Sequence, residues 1–246
     1  MNRGCTYTET VGPRSAGREL SRYLAATYTH TGLEAWEARI LQGRVRLDGG
    51  PALPEALLRP GQVLTWERPP WEEPPVPLAC AVLYEDDDLL VVAKPSGLPT
   101  LPGGDFQDHT LLALVRRRHP EASPIHRLGR FTSGLVLFSR TPASRDALYA
   151  TFRERSVEKV YRALLAGTPA EDAFTVTTPI GPVPHAGLGT VHAASPEGRP
   201  ARSDFRILAR RGATSLAEVT IHTGRPHQIR IHAAACCHPL VGDPLY

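Results

Sequence analysis

Apolar residues near the start of the chain recur at the spacing of an amphipathic helix, twice in succession. The two sets are separated by a break at residues 29–32 and comprise Leu20, Tyr23 and Leu24, then Leu33, Trp36, Ile40 and Leu41. Two extended stretches follow at residues 44–47 and 62–66, each beside a turn signal that contains glycine. The pattern predicts two short helices followed by a small sheet.

The remainder of the chain alternates between strand-like and helix-like stretches. Strands are predicted at residues 79–92 around an acidic turn, and at 135–138, 159–165, 203–208 and 216–221. Helices are predicted at residues 111–115 and 142–153. Residues 181–200 are rich in glycine and proline, which favours a long surface excursion or a hairpin.

A proline-rich stretch divides these two regions. Five of the ten residues in RPPWEEPPVP, positions 68–77, are proline, which is typical of a stiff, extended linker. We therefore expect a flexible N-terminus at 1–13, a first domain at 14–67, a linker at 68–78 and a second domain at 79–246.

The composition excludes several classes of protein. A chain of 246 residues with 41% apolar residues can bury a sizeable core. Its four cysteines, Cys5, Cys80, Cys236 and Cys237, lack the spacing of a metal site, which predicts reduced thiols and no metal. The sequence contains no apolar run of about 18 residues and no signal-peptide core at its N-terminus. We expect a cytoplasmic protein without a membrane partner.

Positive charge is concentrated in the middle of the chain. The net charge is only +3, yet residues 116–162 contain eleven Lys or Arg against four Asp or Glu. Ten of these eleven cations are arginine, whose planar guanidinium suits phosphate groups and stacking on bases. An ordinary solvated face is the alternative interpretation.

Two segments combine cations, small polar residues and turns. His126 to Arg140, HRLGRFTSGLVLFSR, leads a polar turn into an apolar strand. Residues 223–232, TGRPHQIRIH, carry two arginines and two histidines after a glycine turn. In isolation, the first segment is better interpreted as a basic hairpin entry without chemistry, and the second as a structural helix start with basic residues.

Taken together, the motifs resemble those of a known family. YEDDDLLVVAKPSGLP, HRLGRFTSGL, EKVYRALL and TGRPHQIRIHAAACCHPLVGDPLY are similar, in order and rough spacing, to the RluA-type RNA pseudouridine synthases. Residues 14–67, which include WEARILQGRVRLDG, resemble the S4-like RNA-binding domain that often precedes such cores. The resemblance implies an α+β protein, with a mostly antiparallel mixed-sheet core and flanking helices after a small α/β S4-like domain.

The resemblance also implies an activity. Members of the family flip a uridine out of structured ribosomal or transfer RNA, cut the N1–C1′ bond and rejoin the base through C5, without cofactor or metal. RNA is then the expected partner. For the oligomeric state, we expect a monomer.

Residue roles follow from the motif positions. Tyr161 matches the tyrosine that stacks on the target base, and Arg230 matches the arginine that pairs with the catalytic aspartate. The residues expected to contact RNA are His126, Arg127, Arg130, Thr132, Lys159, Arg225 and His227 in the core, with Arg39, Arg44 and Arg46 in the S4-like domain. Core packing for Tyr161 and surface solubility for the S4-like arginines are the alternatives.

The sequence departs from the family at the catalytic position. The aspartate expected after HRL is Gly129, which has no side chain for nucleophilic attack or proton transfer. Arg230 would then be an uncompensated cation, and the alternative function is a non-catalytic RNA-binding relative. Three acids are weak candidates for a substitute, namely Asp105, Asp108 and Asp146. The chain also ends at Tyr246, earlier than expected for the family, which suggests a short C-terminus.

Overall fold

The computed structural model describes residues 1–246, and the chain forms two compact units. The first unit comprises Met1–Leu78 with Leu101–Leu114, and the second comprises Ala79–Thr100 with Val115–Tyr246. The first transition lies at Leu78, where the proline-rich stretch ends. No sequence pattern indicated that residues 101–114 belong to the first unit.

The first unit combines two helices with a four-stranded sheet. Its elements are β1 (Cys5–Thr10), α1 (Leu20–Thr27), α2 (Leu33–Leu41), β2 (Val45–Leu47), β3 (Gly50–Pro51) and β4 (Val63–Arg68). The strands are antiparallel in the order β1-β4-β2-β3. Both predicted helices are confirmed, and most of the residues at helical spacing lie in the core, such as Leu24 and Trp36, whereas Leu33 and Leu41 are exposed.

The N-terminus corrects one expectation. Residues 5–10, predicted to be flexible, form β1, which pairs with β4 from Cys5 opposite Arg68 to Thr10 opposite Val63. The ring of Tyr7 stacks on Trp66 with 4.0 Å between centroids. The tyrosine and threonines of CTYTET favour a strand, but the segment lacks a buried apolar face, and the pairing with β4 completes the strand.

The proline-rich stretch is not a free linker either. Glu73, which lies within it, is buried and accepts hydrogen bonds at 2.8–3.1 Å from the backbone N–H groups of Gln107, Asp108 and His109. The side-chain amide of Asn2 donates to the same carboxylate at 2.7 Å. Burial alone would raise the pKa of Glu73, but these donors outweigh it and lower the pKa to about 2. Glu73 therefore joins three distant segments of the first unit.

The second unit is richer in strands. Its elements are β5 (Ala81–Glu85), β6 (Leu89–Lys94), β7 (Ser123–Pro124), β8 (Gly134–Ser139), α4 (Pro142–Arg153), β9 (Val160–Ala166), β10 (Ala173–Val176), β11 (Ile180–His185), β12 (Gly189–Ala194), β13 (Ser203–Arg211), β14 (Thr214–Ile221) and α5 (Gln228–Ala235). Helix α3 (Leu111–Arg116) begins in the segment of the first unit and ends in the second.

These strands form two four-stranded sheets and a hairpin. One sheet has the order β5-β6-β8-β7, the other has the order β10-β13-β14-β9, and β11 pairs with β12. All pairs are antiparallel. The α+β class and the mostly antiparallel sheet core are confirmed, and no strand pairs with both four-stranded sheets.

Several predicted elements of the second unit are confirmed. Helix α4 begins after Thr141, whose side chain and that of Ser144 form a reciprocal capping box. The predicted excursion at residues 181–200 contains the β11–β12 hairpin. None of the helices has the length and apolar character required to cross a membrane.

Candidate active site

A buried lysine fixes the loop that leads into β8. Lys94, at the end of β6, is 2% exposed, and its ammonium group donates to three backbone carbonyls. Those carbonyls belong to Leu98 at 2.7 Å, Pro95 at 2.9 Å and Arg130 at 3.0 Å. Burial lowers the pKa of Lys94 to about 8, whereas the three acceptors favour its charged form. Lys94 thereby ties residues 95–98 to the loop that contains Gly129.

Further hydrogen bonds reinforce this attachment. The donors and acceptors are Gly97 N–H to the Arg130 carbonyl at 2.9 Å, Arg130 Nε to the Gly97 carbonyl at 3.0 Å, Ser96 Oγ to the Phe131 carbonyl at 2.8 Å and Thr100 Oγ1 to the Leu128 carbonyl at 2.8 Å. Sequence reasoning assigned no role to Lys94, Ser96 or Thr100. The only sequence signal is that all three lie in KPSGLPT, most of which belongs to a motif that resembles the family.

Gly129 lies at the exposed tip of this loop. Its backbone φ is not in the left-handed region, and a Cβ added there would meet only Thr132 Oγ1, at 3.5 Å. The Gly129 carbonyl accepts a hydrogen bond from the Thr132 N–H at 3.1 Å. A side chain is therefore sterically permitted at position 129, where the motif resemblance predicts an aspartate, and the fold does not require glycine there.

His126 is a neutral histidine beside Lys159. Its ring stacks on Phe152 with 5.2 Å between centroids, and Nε2 accepts a hydrogen bond from the Leu137 N–H at 3.2 Å. Burial, followed by the positive charge of Lys159, lowers the pKa of His126. The proton of the neutral ring is therefore on Nδ1.

Tyr161 lies on β9, where it pairs with Val219 of β14. The ring packs against the core beneath the β10-β13-β14-β9 sheet, together with Ile229 of α5, and burial raises the pKa of the phenol. The hydroxyl makes no hydrogen bond within the protein, although the residue is half-buried. A flat ring with an unused hydroxyl suits a nucleobase.

Arg230 differs from the sequence expectation. It is not an uncompensated cation, because both oxygens of Asp243 accept from it, at 2.6 Å from Nε and 2.8 Å from Nη2. Asp243 is also held by the N–H groups of Leu245 and Tyr246. The Arg230 hydrogen bond is the main cause that lowers the pKa of Asp243 to about 2, against the opposing effect of burial. The carboxylate partner of Arg230 thus comes from the GDPLY segment, which sequence reasoning did not assign to the site.

His227 and Tyr246 extend this cluster. Tyr246 packs over Arg230, with 4.8 Å from Cζ to the ring centroid, and its hydroxyl donates to the His192 carbonyl at 2.6 Å. His227 Nδ1 is 2.9 Å from that hydroxyl and must be the donor, since the hydroxyl proton is already engaged. Burial and the charge of Arg230 lower the pKa of His227, which therefore presents an unprotonated Nε2.

The same segment contains residues with internal roles. Gln228 is buried, and its side-chain oxygen accepts from the N–H of Arg225 while its amide donates to Ser203 Oγ. His232 is 0% exposed and bonds to Ser203 Oγ and the Thr178 carbonyl. These contacts fix the start of α5, where His227 adopts a left-handed φ of 56°.

Two groups of predicted RNA-binding residues lie on exposed parts of the second unit. Arg127 and Arg130 are exposed on the Gly129 loop, and Thr132 is half-buried beside them. Arg225 is half-buried, and its Nε donates to the Pro200 carbonyl at 3.1 Å.

The predicted arginines of the first unit form a separate cluster. Burial, followed by the charges of Arg68 and Arg44, lowers the pKa of Arg39. Arg44 and Arg68 line an open cleft of about 570 Å³, which Arg3 also borders. Arg68, which the sequence did not single out, stacks on Trp71 at 3.6 Å. Arg46 is exposed on β2.

Comparisons with known proteins identify the family. A family model described as RNA pseudouridylate synthase matches residues 88–235. An uncharacterized RNA pseudouridine synthase from Synechocystis is 46% identical, over 91% of this chain and 78% of that protein. RNA pseudouridine synthase 5 from Arabidopsis thaliana is 39% identical, over 100% of this chain and 76% of that protein. The solved structure of human RNA pseudouridylate synthase domain containing 1 aligns with a TM-score of 0.61 at 29% identity, over 70% of this chain and 71% of that chain. This chain belongs to the RNA pseudouridylate synthase family.

Proposed function

We propose that this protein is an RluA-type enzyme that isomerises uridine to pseudouridine in structured ribosomal or transfer RNA. The observation that carries the proposal is the rigid loop at residues 126–132, which is fixed by Lys94 and bears the cations of its motif on an exposed tip. Family membership supplies the reaction class. The loop supplies a preorganised surface for an RNA strand.

The reaction needs no co-reactant, because product and substrate are isomers. The bond between N1 and C1′ breaks, the uracil rotates, and a bond forms between C5 and C1′. The hydrogen on C5 leaves as a proton, and N1 gains one, so atoms and charge balance. The protein must therefore hold the detached base in place and supply a route for one proton.

Tyr161 is the residue that we assign to the base. Its ring is fixed by core packing, and its hydroxyl makes no hydrogen bond within the protein. A uracil stacked on this ring would have a hydroxyl nearby for proton transfer at C5. Burial raises the pKa of Tyr161 and keeps the phenol neutral at pH 7, so its oxygen could take the C5 proton only as its own proton passes on, with N1 of the base as the final acceptor.

Arg230 and Asp243 are assigned to the electrostatics of the site. Their paired charges are held in a fixed geometry, in which the carboxylate is 4% exposed and the guanidinium 27% exposed. Such a pair can stabilise charge that develops on the departing base without reorganising. Asp243 is the carboxylate that accompanies Arg230 in this chain, in place of the one missing at Gly129.

RNA contacts are assigned to both units. In the second unit we assign His126, Arg127, Arg130, Thr132, Lys159, Arg225 and His227 to RNA, with exposed guanidiniums directed to phosphate. In the first unit we infer an S4-like RNA-binding role, supported by the cleft that Arg44 and Arg68 line and by Arg39, whose pKa their charges lower.

Mapping of modified RNA tests the proposal. Total RNA from cells that lack this protein is incubated with it, treated with a carbodiimide that leaves a stable adduct on pseudouridine, and read by primer extension. We expect new stops at one or a few uridines, which also identify the target. RNA binding without new stops would favour the non-catalytic relative, and the absence of both would contradict the proposal.

A further inference from the structure

Phe131 is unusual among the phenylalanines of this chain. It is 73% exposed, whereas Phe138 and Phe205 are 0% and 2% exposed, and no other phenylalanine is among the exposed large apolar residues. A single exposed apolar residue is ordinary on a protein surface. Phe131 differs because it lies two residues after Gly129, on the tip of the candidate active-site loop.

The backbone that carries this ring is fixed. The Phe131 carbonyl accepts from Ser96 Oγ at 2.8 Å, and the adjacent Arg130 carbonyl accepts from Lys94 and Gly97. Only the two side-chain torsions of Phe131 can still rotate. Ordering the Phe131 side chain against a ligand would therefore cost little conformational entropy.

The surroundings of the ring are cationic. The guanidinium carbon of Arg130 is 5.0 Å from the ring centroid, and Arg127 is exposed on the same loop. An aromatic ring beside guanidinium groups is the combination that binds a nucleobase and its phosphate. An apolar protein partner would have to bury these charges without compensation, which argues for RNA as the occupant.

We propose that the ring of Phe131 stacks on the RNA base next to the target uridine and fills the gap left when that uridine is flipped out. Base flipping breaks stacking on both sides of the extruded nucleotide, and an inserted apolar side chain restores part of it. The inference rests on the proposed function in one respect, namely that a uridine is extruded at this loop. Phe131 is then a positioning residue that holds the flipped state open.

This role is tested by measuring kcat/KM for Phe131 variants, with the RNA transcript that the wild-type protein modifies as the substrate. Phe131→Ala and Phe131→Leu should each lower kcat/KM by about 5- to 150-fold, the range for one lost stacking contact, and Phe131→Trp should retain most of it. Leu83→Ala, at a residue that is 59% exposed on β5, is the matched control and should leave kcat/KM unchanged. Full activity of Phe131→Ala, or equal losses for the tryptophan and alanine variants, would overturn the proposal.

Photo-crosslinking tests the contact independently of turnover. A ribosomal RNA transcript containing 5-iodouridine is irradiated with the full-length protein, and the tryptic peptide that begins at Phe131 is sequenced by mass spectrometry. The crosslink should map to Phe131, disappear in Phe131→Ala and persist in Leu83→Ala. A crosslinked protein that never carries the RNA at residue 131 would contradict the stacking contact. If the RNA crosslinks at Phe131 but no pseudouridine forms, the result contradicts the proposed function and leaves the stacking contact intact.

Discussion

Arg230 and Asp243 form a bidentate ion pair, with Nε 2.6 Å from Oδ2 and Nη2 2.8 Å from Oδ1. The Asp243 side chain is 4% exposed, so loss of its partner would leave a carboxylate that water hardly reaches. The Gly129 loop therefore does not have to supply the negative charge that pairs with Arg230. This pair has consequences for stability and for turnover.

Arg230→Ala is expected to destabilise the protein strongly. Removing one partner of a buried ion pair costs about 3–5 kcal/mol, because the remaining charge is desolvated without compensation. Denaturant unfolding measures this loss. Arg145→Ala is the control, since Arg145 and Asp146 are 43% and 76% exposed, and it should cost less than about 1 kcal/mol. Equal effects of the two substitutions would contradict the role of the pair.

Lys94→Met tests whether turnover depends on the geometry of the Gly129 loop separately from the stability of the fold. The variant keeps the buried apolar stem but leaves three carbonyls without their donor, at a cost of about 1–3 kcal/mol for each group that stays unsatisfied. Because Arg130 would lose one of its anchors, we expect turnover to fall by more than about ten-fold even at temperatures where the variant stays folded. Ser96→Ala, which removes one exposed hydrogen bond to the loop, should have a much smaller effect in both assays. A folded Lys94→Met variant with normal turnover would show that the loop does not depend on this residue.

Glu73 predicts an acid sensitivity of the first unit. The folded state lowers the pKa of Glu73 from its usual 4.5 to about 2, so its contribution is complete above pH 4.5 and is lost as the pH falls towards 2. At neutral pH Glu73→Gln should cost about 1–3 kcal/mol of unfolding free energy, and the difference from wild type should shrink as the pH is lowered. Unfolding is measured at several pH values between 7 and about 2.5. Glu72→Gln, at the exposed neighbouring position, serves as the control, and a pH-independent difference for Glu73→Gln would refute the assignment.

Gly129→Asp should fold normally and increase turnover. The added Cβ would meet only Thr132 Oγ1 at 3.5 Å, and the backbone there is not left-handed, so we expect a change in stability below about 1 kcal/mol. A carboxylate at the family position adds a general base or nucleophile, for which about ten-fold or more in the single-turnover rate is a modest expectation. A decrease in rate would instead show that the flipped uridine occupies the space above Gly129.

The two helices of the first unit could be predicted from the sequence because their apolar residues recur at helical spacing. Trp36 and Ile40 are examples in which local pattern and tertiary burial agree, whereas α4, from Pro142 to Arg153, was predicted although none of its residues is fully buried. Strand β1 was missed because CTYTET is short and has no buried apolar face, although its tyrosine and threonines favour a strand, and pairing with β4 completes it.

Only part of the candidate site could be predicted from the sequence. Motif matching selected Gly129, Tyr161 and Arg230, but the carboxylate that binds Arg230 follows it by 13 positions in the chain and is recruited by the fold. Lys94 was overlooked because a lysine after an apolar strand normally signals its exposed end. Its burial depends on three carbonyls that only the folded loops bring together.

Release of the C5 hydrogen is the most direct measurement of the central claim, that this chain isomerises uridine in RNA. Ribosomal and transfer RNA transcripts labelled with tritium at C5 of uridine are incubated with the wild-type protein and with Tyr161→Ala, and the tritium that appears in water is counted. The account predicts release up to a plateau of one or a few uridines per RNA for wild type, and a rate lower by at least about 100-fold for Tyr161→Ala. No release above background from any of these RNAs, with protein that is folded and binds them, would contradict the account.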